Sequence, residues 1–167
     1  MAFAPYTMAG AQPIATNSDT QKHPLGTIVR ARDPVFGDGE FIYLKGIGST
    51  VVGSMVIYKH DTGVTALSPD TAKSGAPVAV AMSACVANEF GWYQIGGAAV
   101  IKKTAVKVDP AVALRVFQSA TTGRVMQTSA TSKQILGATF STAVTVTSTT
   151  STAVVTLNRP HVQGNIT

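Results

Sequence analysis

Residues able to carry out acid–base or metal chemistry are few in this chain, and they lie far apart. The three histidines, His23, His60 and His161, each lie beside turn-forming residues in a different part of the sequence. A histidine acts as a base or a metal ligand when other polar groups converge on it. Because these three histidines lie in loops far apart in the sequence, the pattern predicts neither a catalytic base nor a metal ligand among them.

Sequence motifs of common active sites are also missing. The chain contains no nucleophile elbow, no paired-histidine zinc motif and no phosphate-binding P-loop. Residues 46–49 (Gly-Ile-Gly-Ser) imitate the start of a dinucleotide-binding loop, but no helical pattern follows them. We therefore predict that the protein is not an enzyme, that it has no catalytic residue and that it binds no cofactor.

Metal-binding patterns are weak. The loop 33–40 holds Asp33, Asp38 and Glu40 and resembles a calcium loop at first sight. It lacks the twelve-residue ligand spacing that ends in a glutamate, so a glycine turn solvated by carboxylates is the better interpretation. The single cysteine, Cys85, excludes an internal disulfide and any multi-cysteine metal site. No metal site is predicted.

Residues 90–97 carry the clearest strand pattern and contain the only tryptophan. Alternation places Trp92 and Gln94 on one face of the strand and Tyr93 and Ile95 on the other. We expect a central strand in which Trp92 belongs to the core. The alternative is an aromatic platform for a base or a sugar, which requires exposed rings beside basic side chains.

Two parts of the chain share one pattern. Residues 55–67 and 114–128 each have the pattern of a hairpin whose turn contains Thr-Gly, and glycine there supplies a positive φ. A short apolar strand follows each hairpin, over residues 77–81 and 134–139. We interpret the two units as a diverged internal duplication. Together they would close one barrel or sandwich.

The predicted fold is all-β: a small β-barrel or β-sandwich, jelly-roll-like or tulip-like, with an extended N-terminal arm. Residues 1–26 form the arm, residues 27–160 the β-domain and residues 161–167 a C-terminal tail. The arm contains three prolines and no sustained hydrophobic period. We expect its scattered hydrophobic residues to bind a partner; they are Phe3, Tyr6, Met8 and Ile14. The alternative is that the arm is only a frayed terminus.

Composition favours a protein that buries surface against partners. Only 13% of the residues are charged and the mean hydropathy is +0.23, which is apolar for a soluble monomer. No apolar run approaches the roughly 20 residues of a membrane helix, and the start lacks a basic region before an apolar one. We expect neither a membrane protein nor a Sec-exported one.

Positive charge is concentrated in the second half. Residues 90–167 carry seven Lys and Arg side chains against Asp109 alone, but never in the dense run of a nucleic-acid tail. This distribution predicts a mildly basic face that meets an acidic partner, with no direct nucleic-acid binding. The basic residues expected to contact the partner are Lys102, Lys103, Lys107, Arg115 and Arg124.

Residues 25–33, 37–46, 78–84 and 91–95 together resemble small virion proteins of tailed bacteriophages, namely capsid decoration or cement proteins. The most specific blocks are Gly-Asp-Gly-Glu-Phe-Ile-Tyr-Leu and Gly-Trp-Tyr-Gln-Ile. The resemblance spans residues 25 to 100. The rest of the chain is similar only in its strand-forming character. It implies no catalytic residues and allows no contact residue to be transferred, because capsid contacts differ between members.

This resemblance implies a non-enzymatic β-barrel or sandwich, made in the bacterial cytoplasm, on the outer surface of the phage head. There it would clamp neighbouring major capsid subunits as a homodimer or homotrimer, against the pressure of the packaged DNA. The alternative from another class is a single-stranded nucleic-acid or glycan-binding β-barrel, either OB-like or a tail-fibre receptor module. That alternative requires Trp92 and Tyr43 to be exposed beside basic side chains.

Overall fold

The computed structural model describes residues 4–5, 12–68 and 74–164, and in this part of the chain all regular structure is β-strand. None of it is a helix that could cross a membrane. The predicted all-β fold is confirmed, as an open, curled sheet that forms a half-barrel. The strands are β1 Ala4–Pro5, β2 Asn17–Ser18, β3 Ile28–Asp33, β4 Gly37–Lys45, β5 Met55–Tyr58, β6 Thr65–Leu67, β7 Val78–Ala81, β8 Phe90–Lys102, β9 Arg115–Gln118, β10 Val125–Met126, β11 Gln134–Phe140 and β12 Thr152–Val162.

Three long strands, β4, β8 and β12, form the centre of the sheet. The first part of β8 pairs antiparallel with β4, with Trp92 opposite Tyr43. Its second part pairs antiparallel with β12, with Ala99 opposite Val155. On the far side of β4 lie β3 and then β1. Because β8 contacts both other long strands, it is the central strand that its aromatic and β-branched residues predict.

Both predicted hairpins are present, and their surroundings match. β5 and β6 form the first hairpin, and β7 pairs with β5 and then with β8. β9 and β10 form the second hairpin, and β11 pairs with β9 and then with β12. Each unit is therefore a hairpin followed by a strand that joins it to the next long strand. The two units thus share one order of strand pairing.

Each hairpin turn uses its glycine in the left-handed region. Gly63 has φ of 63° and Gly123 has φ of 70°. An added Cβ at Gly63 would lie only 2.6 Å from the Cβ of Leu25, so this turn also has no room for a side chain. The two Thr-Gly pairs are thus explained by turn geometry, since glycine adopts a positive φ without steric cost.

Large side chains cover both faces of the sheet where β4 meets β8. Phe41, Tyr43 and Trp92 pack on one face, and Trp92 is 0% exposed. Tyr93 and Ile95 pack on the other face with further buried side chains of β4, β5 and β7. The predicted division of β8 residues between two faces is confirmed, as is the core position of Trp92.

The structure corrects the expectation for part of the N-terminal arm. Ile14 is 2% exposed and belongs to the same buried cluster as Trp92, so its side chain does not face a partner. The indole Nε1–H of Trp92 donates a hydrogen bond of 2.9 Å to the carbonyl of Gln12, and β2 pairs with β8. A segment without hydrophobic period can pack through one or two inserted side chains. Phe3, Tyr6 and Met8 lie outside the described residues.

The predicted C-terminal tail also begins later than expected. His161 and Val162 belong to β12, and Val162 is 0% exposed in the core. Pro160 favours an earlier end in the sequence, because a proline commonly ends or borders a strand. Here the strand continues past it, with Val162 opposite Ile135 of β11.

Candidate partner-binding groove

The connection between β8 and β9 folds back over the core of the second half. Val108 in this connection is 0% exposed and pairs with Val146, with an N–H···O bond of 2.9 Å in each direction. The Ser- and Thr-rich segment around Val146 is thereby fixed to the loop that contains Val108. Two long loops without regular strands are held together in this way.

Lys103 organises the base of these loops. Its side chain is buried, and its ammonium donates to the carbonyls of Thr104 at 3.2 Å, Val106 at 2.8 Å and Thr147 at 2.9 Å. Burial lowers the pKa of this lysine. The expectation that Lys103 contacts a partner is wrong, because its donors already bind the protein's own backbone. Charge alone does not distinguish such a lysine from one on the surface.

Gln127 fixes the next part of the connection. Its side-chain Oε1 accepts a hydrogen bond of 2.8 Å from the amide of Asp109, and its Nε2 donates one of 2.8 Å to the carbonyl of Asp109. The carboxylate of Asp109 accepts from the amide of Ala111 at 3.0 Å and from the ammonium of Lys107 at 3.1 Å. These two contacts hold the pKa of Asp109 below its ordinary value.

A groove of about 400 Å³ opens beside this fixed loop. Phe117 lines it as a buried side chain, while Val106 is 36% exposed and Val112 is 58% exposed. Lys107, its ion-pair partner Asp109 and Arg115 lie along the same groove. Two of the predicted basic residues are thus brought together next to exposed apolar surface. An apolar centre with a charged rim is typical of a protein–protein interface.

The remaining predicted contact residues lie outside the groove. Lys102 and Arg124 are partly exposed, and the Nη1 of Arg124 donates to the carbonyl of Lys103 at 3.2 Å. Sequence reasoning missed Val106 and Val112, which provide the exposed apolar surface. The available signal was the occurrence of valines between charged and turn-forming residues, where no strand pattern accounts for them.

The acidic residues of the β3–β4 turn serve the fold. Asp33 is 3% exposed and accepts hydrogen bonds from the amides of Val35 at 2.8 Å and Phe36 at 2.9 Å. Its carboxylate is therefore a buried turn acceptor, and the expectation that solvent surrounds it is corrected. Within residues 4–5, 12–68 and 74–164, no three His, Cys, Asp or Glu side chains lie together as a group that could hold a metal ion.

Tyr43 and Trp92 do not form the exposed aromatic platform that stacking on a base or a sugar requires. Tyr43 and Trp92 are both 0% exposed, and their ring centroids lie 5.0 Å apart. The imidazole of His23 packs on both, with its centroid 5.3 Å from that of Trp92. A base could stack on Trp92 only after residues 12–23 had left the sheet.

Comparison with known proteins identifies no relative of this chain. No protein-family model matches the chain, and searches of curated protein sequences and of solved structures give no match. The resemblance to capsid decoration proteins therefore stays a prediction based on the segments of this chain quoted above.

Proposed function

We propose that this chain is a non-enzymatic structural protein of a virion, which binds the outside of a phage capsid. In this role it cements neighbouring major capsid subunits against the pressure of the packaged DNA. The observation that supports the proposal is the groove beside Val112, where exposed valines adjoin Lys107 and Arg115. Such a surface matches the apolar centre and charged rim of a protein–protein interface.

Magnitudes indicate which part of the groove would hold the partner. Burying an exposed valine side chain contributes about 1.5 kcal/mol or more, in proportion to the area removed from water. An exposed ion pair contributes about 0 to 1 kcal/mol and is screened by salt. Apolar contact around Val112 should therefore dominate affinity, while Lys107 and Arg115 set orientation and association rate.

The proposal names two partners. The major capsid protein would present an apolar patch with acidic residues around it to the groove. Copies of the chain itself would form a homodimer or homotrimer, so that one assembly reaches more than one capsid subunit. The low charge and positive mean hydropathy of the chain support a protein that buries surface in an assembly.

The test compares two exposed valines. Val112→Asp places a charge in the groove, whereas Val35→Asp places one at a position that is 83% exposed in the β3–β4 turn, outside the groove. Each variant is titrated onto phage heads that lack this protein and is then co-sedimented. We expect Val112→Asp to weaken binding about tenfold or more, as at a central interface residue, and Val35→Asp to bind like the unmodified protein.

Salt concentration separates the two energetic contributions. Near 1 M salt the Debye length is about 3 Å, so only apolar contact should persist, with slower association. Failure of the unmodified protein to co-sediment with heads at a fixed stoichiometry would reject the capsid role. Equal loss of binding in both valine variants, or occupancy that collapses at high salt, would reject the apolar groove as the binding surface.

A further inference from the structure

A second concave site lies on the face of the sheet formed by β3, β4 and β8. It is a cavity of about 530 Å³, within the size range of small-molecule pockets. Ile42, Leu44 and Ile95 line it as side chains with at most 3% exposure. Ile28 also lines it and is 46% exposed, so apolar surface continues from the interior to the opening.

Basic and titratable side chains from two distant parts of the chain surround this apolar interior. Lys59 and His60 come from the β5–β6 turn, whereas Arg159 and His161 come from β12. No aspartate or glutamate is among the described residues that line the cavity. The site therefore combines an apolar interior with basic surroundings, in which Arg159 also contacts the Glu40 carboxylate beside the cavity.

The backbone holds Arg159 at the cavity in an unusual conformation. Its φ is 43°, a region that non-glycine residues rarely adopt, and such residues cluster at functional sites. Opposite it, the register of β11 shifts between Leu136 and Ala138, and a Cβ added at Gly137 would lie 2.6 Å from the carbonyl oxygen of Asn158. This bulge redirects the side chains of β12 next to it.

Two polar groups at this cavity retain hydrogen-bonding capacity. The guanidinium of Arg159 contacts Glu40 through Nε, at 3.3 Å, and its terminal nitrogens bond to no described residue. Tyr58 is 7% exposed, and its hydroxyl also bonds to no described residue. Burial raises the pKa of Tyr58, so the hydroxyl keeps its proton at neutral pH and can donate it in a hydrogen bond.

We propose that this cavity binds a small amphiphilic carboxylate, such as a medium-chain fatty acid. The aliphatic chain lies against Ile42, Leu44 and Ile95, and the carboxylate accepts hydrogen bonds from Arg159 and the hydroxyl of Tyr58. A guanidinium and a carboxylate form strong, charge-assisted hydrogen bonds. This site is separate from the groove at Val112, so it stands or falls independently of the capsid proposal.

The experiment uses decanoate and decanol, which share a chain and differ in the charge of the head group. Their binding to the intact protein is measured by titration calorimetry, below the concentration at which decanoate forms micelles. We expect decanoate to bind up to about fivefold more tightly than decanol, the upper range for an exposed charge contact. We also expect the amide and methyl signals of Ile42 and Ile95 to shift in nuclear magnetic resonance spectra.

Two arginines provide a matched pair of variants. Arg159→Gln should remove the preference for decanoate, whereas Arg32→Gln should keep it. The two side chains are similarly exposed, at 64% and 70%, and each is paired with one carboxylate. Ile28→Glu adds a carboxylate at a position already 46% exposed, so the fold should tolerate it while decanoate binding is lost.

Equal affinity for decanoate and decanol, or no binding of either, would overturn the proposal. The proposal also fails if Arg32→Gln loses the preference as Arg159→Gln does, or if the shifted signals lie away from the cavity. A preference for decanoate that depends on Arg159 and is abolished by Ile28→Glu would establish the site.

Discussion

The two halves of β8 lie in the same strand but differ in how the protein covers them. Residues 91–96 are all buried, because side chains pack on both faces of the sheet. Residues 98–102 alternate between buried and partly exposed positions, as in a strand with one face on the core. The difference shows that burial along one strand is decided by the segments that cross it.

The first half is covered by a mostly polar segment that inserts a few apolar side chains. Residues 12–26 insert Ile14 next to Trp92. Several hydrogen bonds fix the segment, among them those from the indole to the Gln12 carbonyl and from the Tyr43 hydroxyl to the Gln12 side chain, together with the pairing of β2 with β8. Apolar area removed from water at Ile14 and Trp92 stabilises this packing. The cover can therefore be weakened most by removing a large buried side chain.

The second half is covered by loops that a polar group holds together. Val108 packs in the core. The β8–β9 loop that contains it is joined to the β11–β12 loop by the ammonium of Lys103 and by paired backbone amides. A buried charge is tolerated here because three carbonyl oxygens replace its hydration. The first cover thus centres on the buried indole of Trp92 and the second on the buried ammonium of Lys103, and the following substitutions separate them.

The largest effect is expected at Trp92. Trp92→Ala should lower the free energy of unfolding by about 3 to 5 kcal/mol, because it leaves a large cavity under residues 12–26. Urea denaturation followed by circular dichroism measures the change. Before unfolding, iodide should quench the unmodified protein's tryptophan poorly, since the indole is 0% exposed.

Leu136 in β11 provides the contrasting position in the part of the sheet covered on one face. It is 38% exposed, so Leu136→Ala should lower the free energy of unfolding by only about 1 kcal/mol. A similar cost for both substitutions would contradict the distinction between the two regions. Ready quenching of Trp92 in the folded protein would contradict its burial.

An intermediate effect is expected at Lys103. Lys103→Met keeps the length of the side chain but removes the donor from the carbonyls of Val106 and Thr147, at a cost of about 1 to 3 kcal/mol. Amide exchange at Val108 and Val146 should also accelerate, because their loops lose their common anchor. Urea denaturation and hydrogen-exchange spectra measure the two effects.

Lys102→Met is the matched control for this substitution, since Lys102 is a partly exposed neighbour. It should change stability by no more than about 0.5 kcal/mol and leave exchange at Val108 unchanged. If Lys103→Met is as stable as the unmodified protein, the buried ammonium does not organise the loops. Faster exchange in both variants would point instead to a general loosening.

Sequence pattern was sufficient where a local rule determines the structure. The alternation around Trp92 predicted a two-faced central strand, and the Thr-Gly turns predicted both hairpins, because strand period and glycine conformation are local properties. The same rules failed for Ile14, whose burial depends on a contact with Trp92 far along the chain. The prediction for Lys103 was wrong for a similar reason, since one of the three carbonyls that its ammonium contacts, that of Thr147, lies in a distant loop.

The candidate sites show the same division. Lys107 and Arg115 were identified from charge alone, and both line the groove. The valines beside them were missed, because their exposure depends on how Gln127 fixes the loop at Asp109. The cavity at Arg159 gave no sequence signal either, since its residues come from β3, β4, β5, β8, β12 and the β5–β6 turn. Convergence of distant segments is the information that local pattern lacks.

The smallest effect is expected where an ion pair links the two regions. Glu40 of β4 accepts hydrogen bonds from Arg30 at 3.0 Å and from Arg159 of β12 at 3.3 Å. The bond from Arg30 is the main cause that lowers the pKa of Glu40 below its ordinary value. The arginine side chains are 74% and 64% exposed, so solvent limits the contribution to about 1 kcal/mol or less.

The sign of the pH dependence follows from that lowered pKa. The unfolded chain binds a proton at Glu40 more readily than the folded chain, so the stabilisation is complete above the ordinary glutamate pKa. It is lost as the pH falls through the lowered pKa of the folded state. Glu40→Gln should therefore flatten the decline of unfolding free energy between neutral and acid pH, measured by urea denaturation at each pH. High salt should reduce the difference between the two proteins, and an unchanged slope in Glu40→Gln would show that this link contributes nothing.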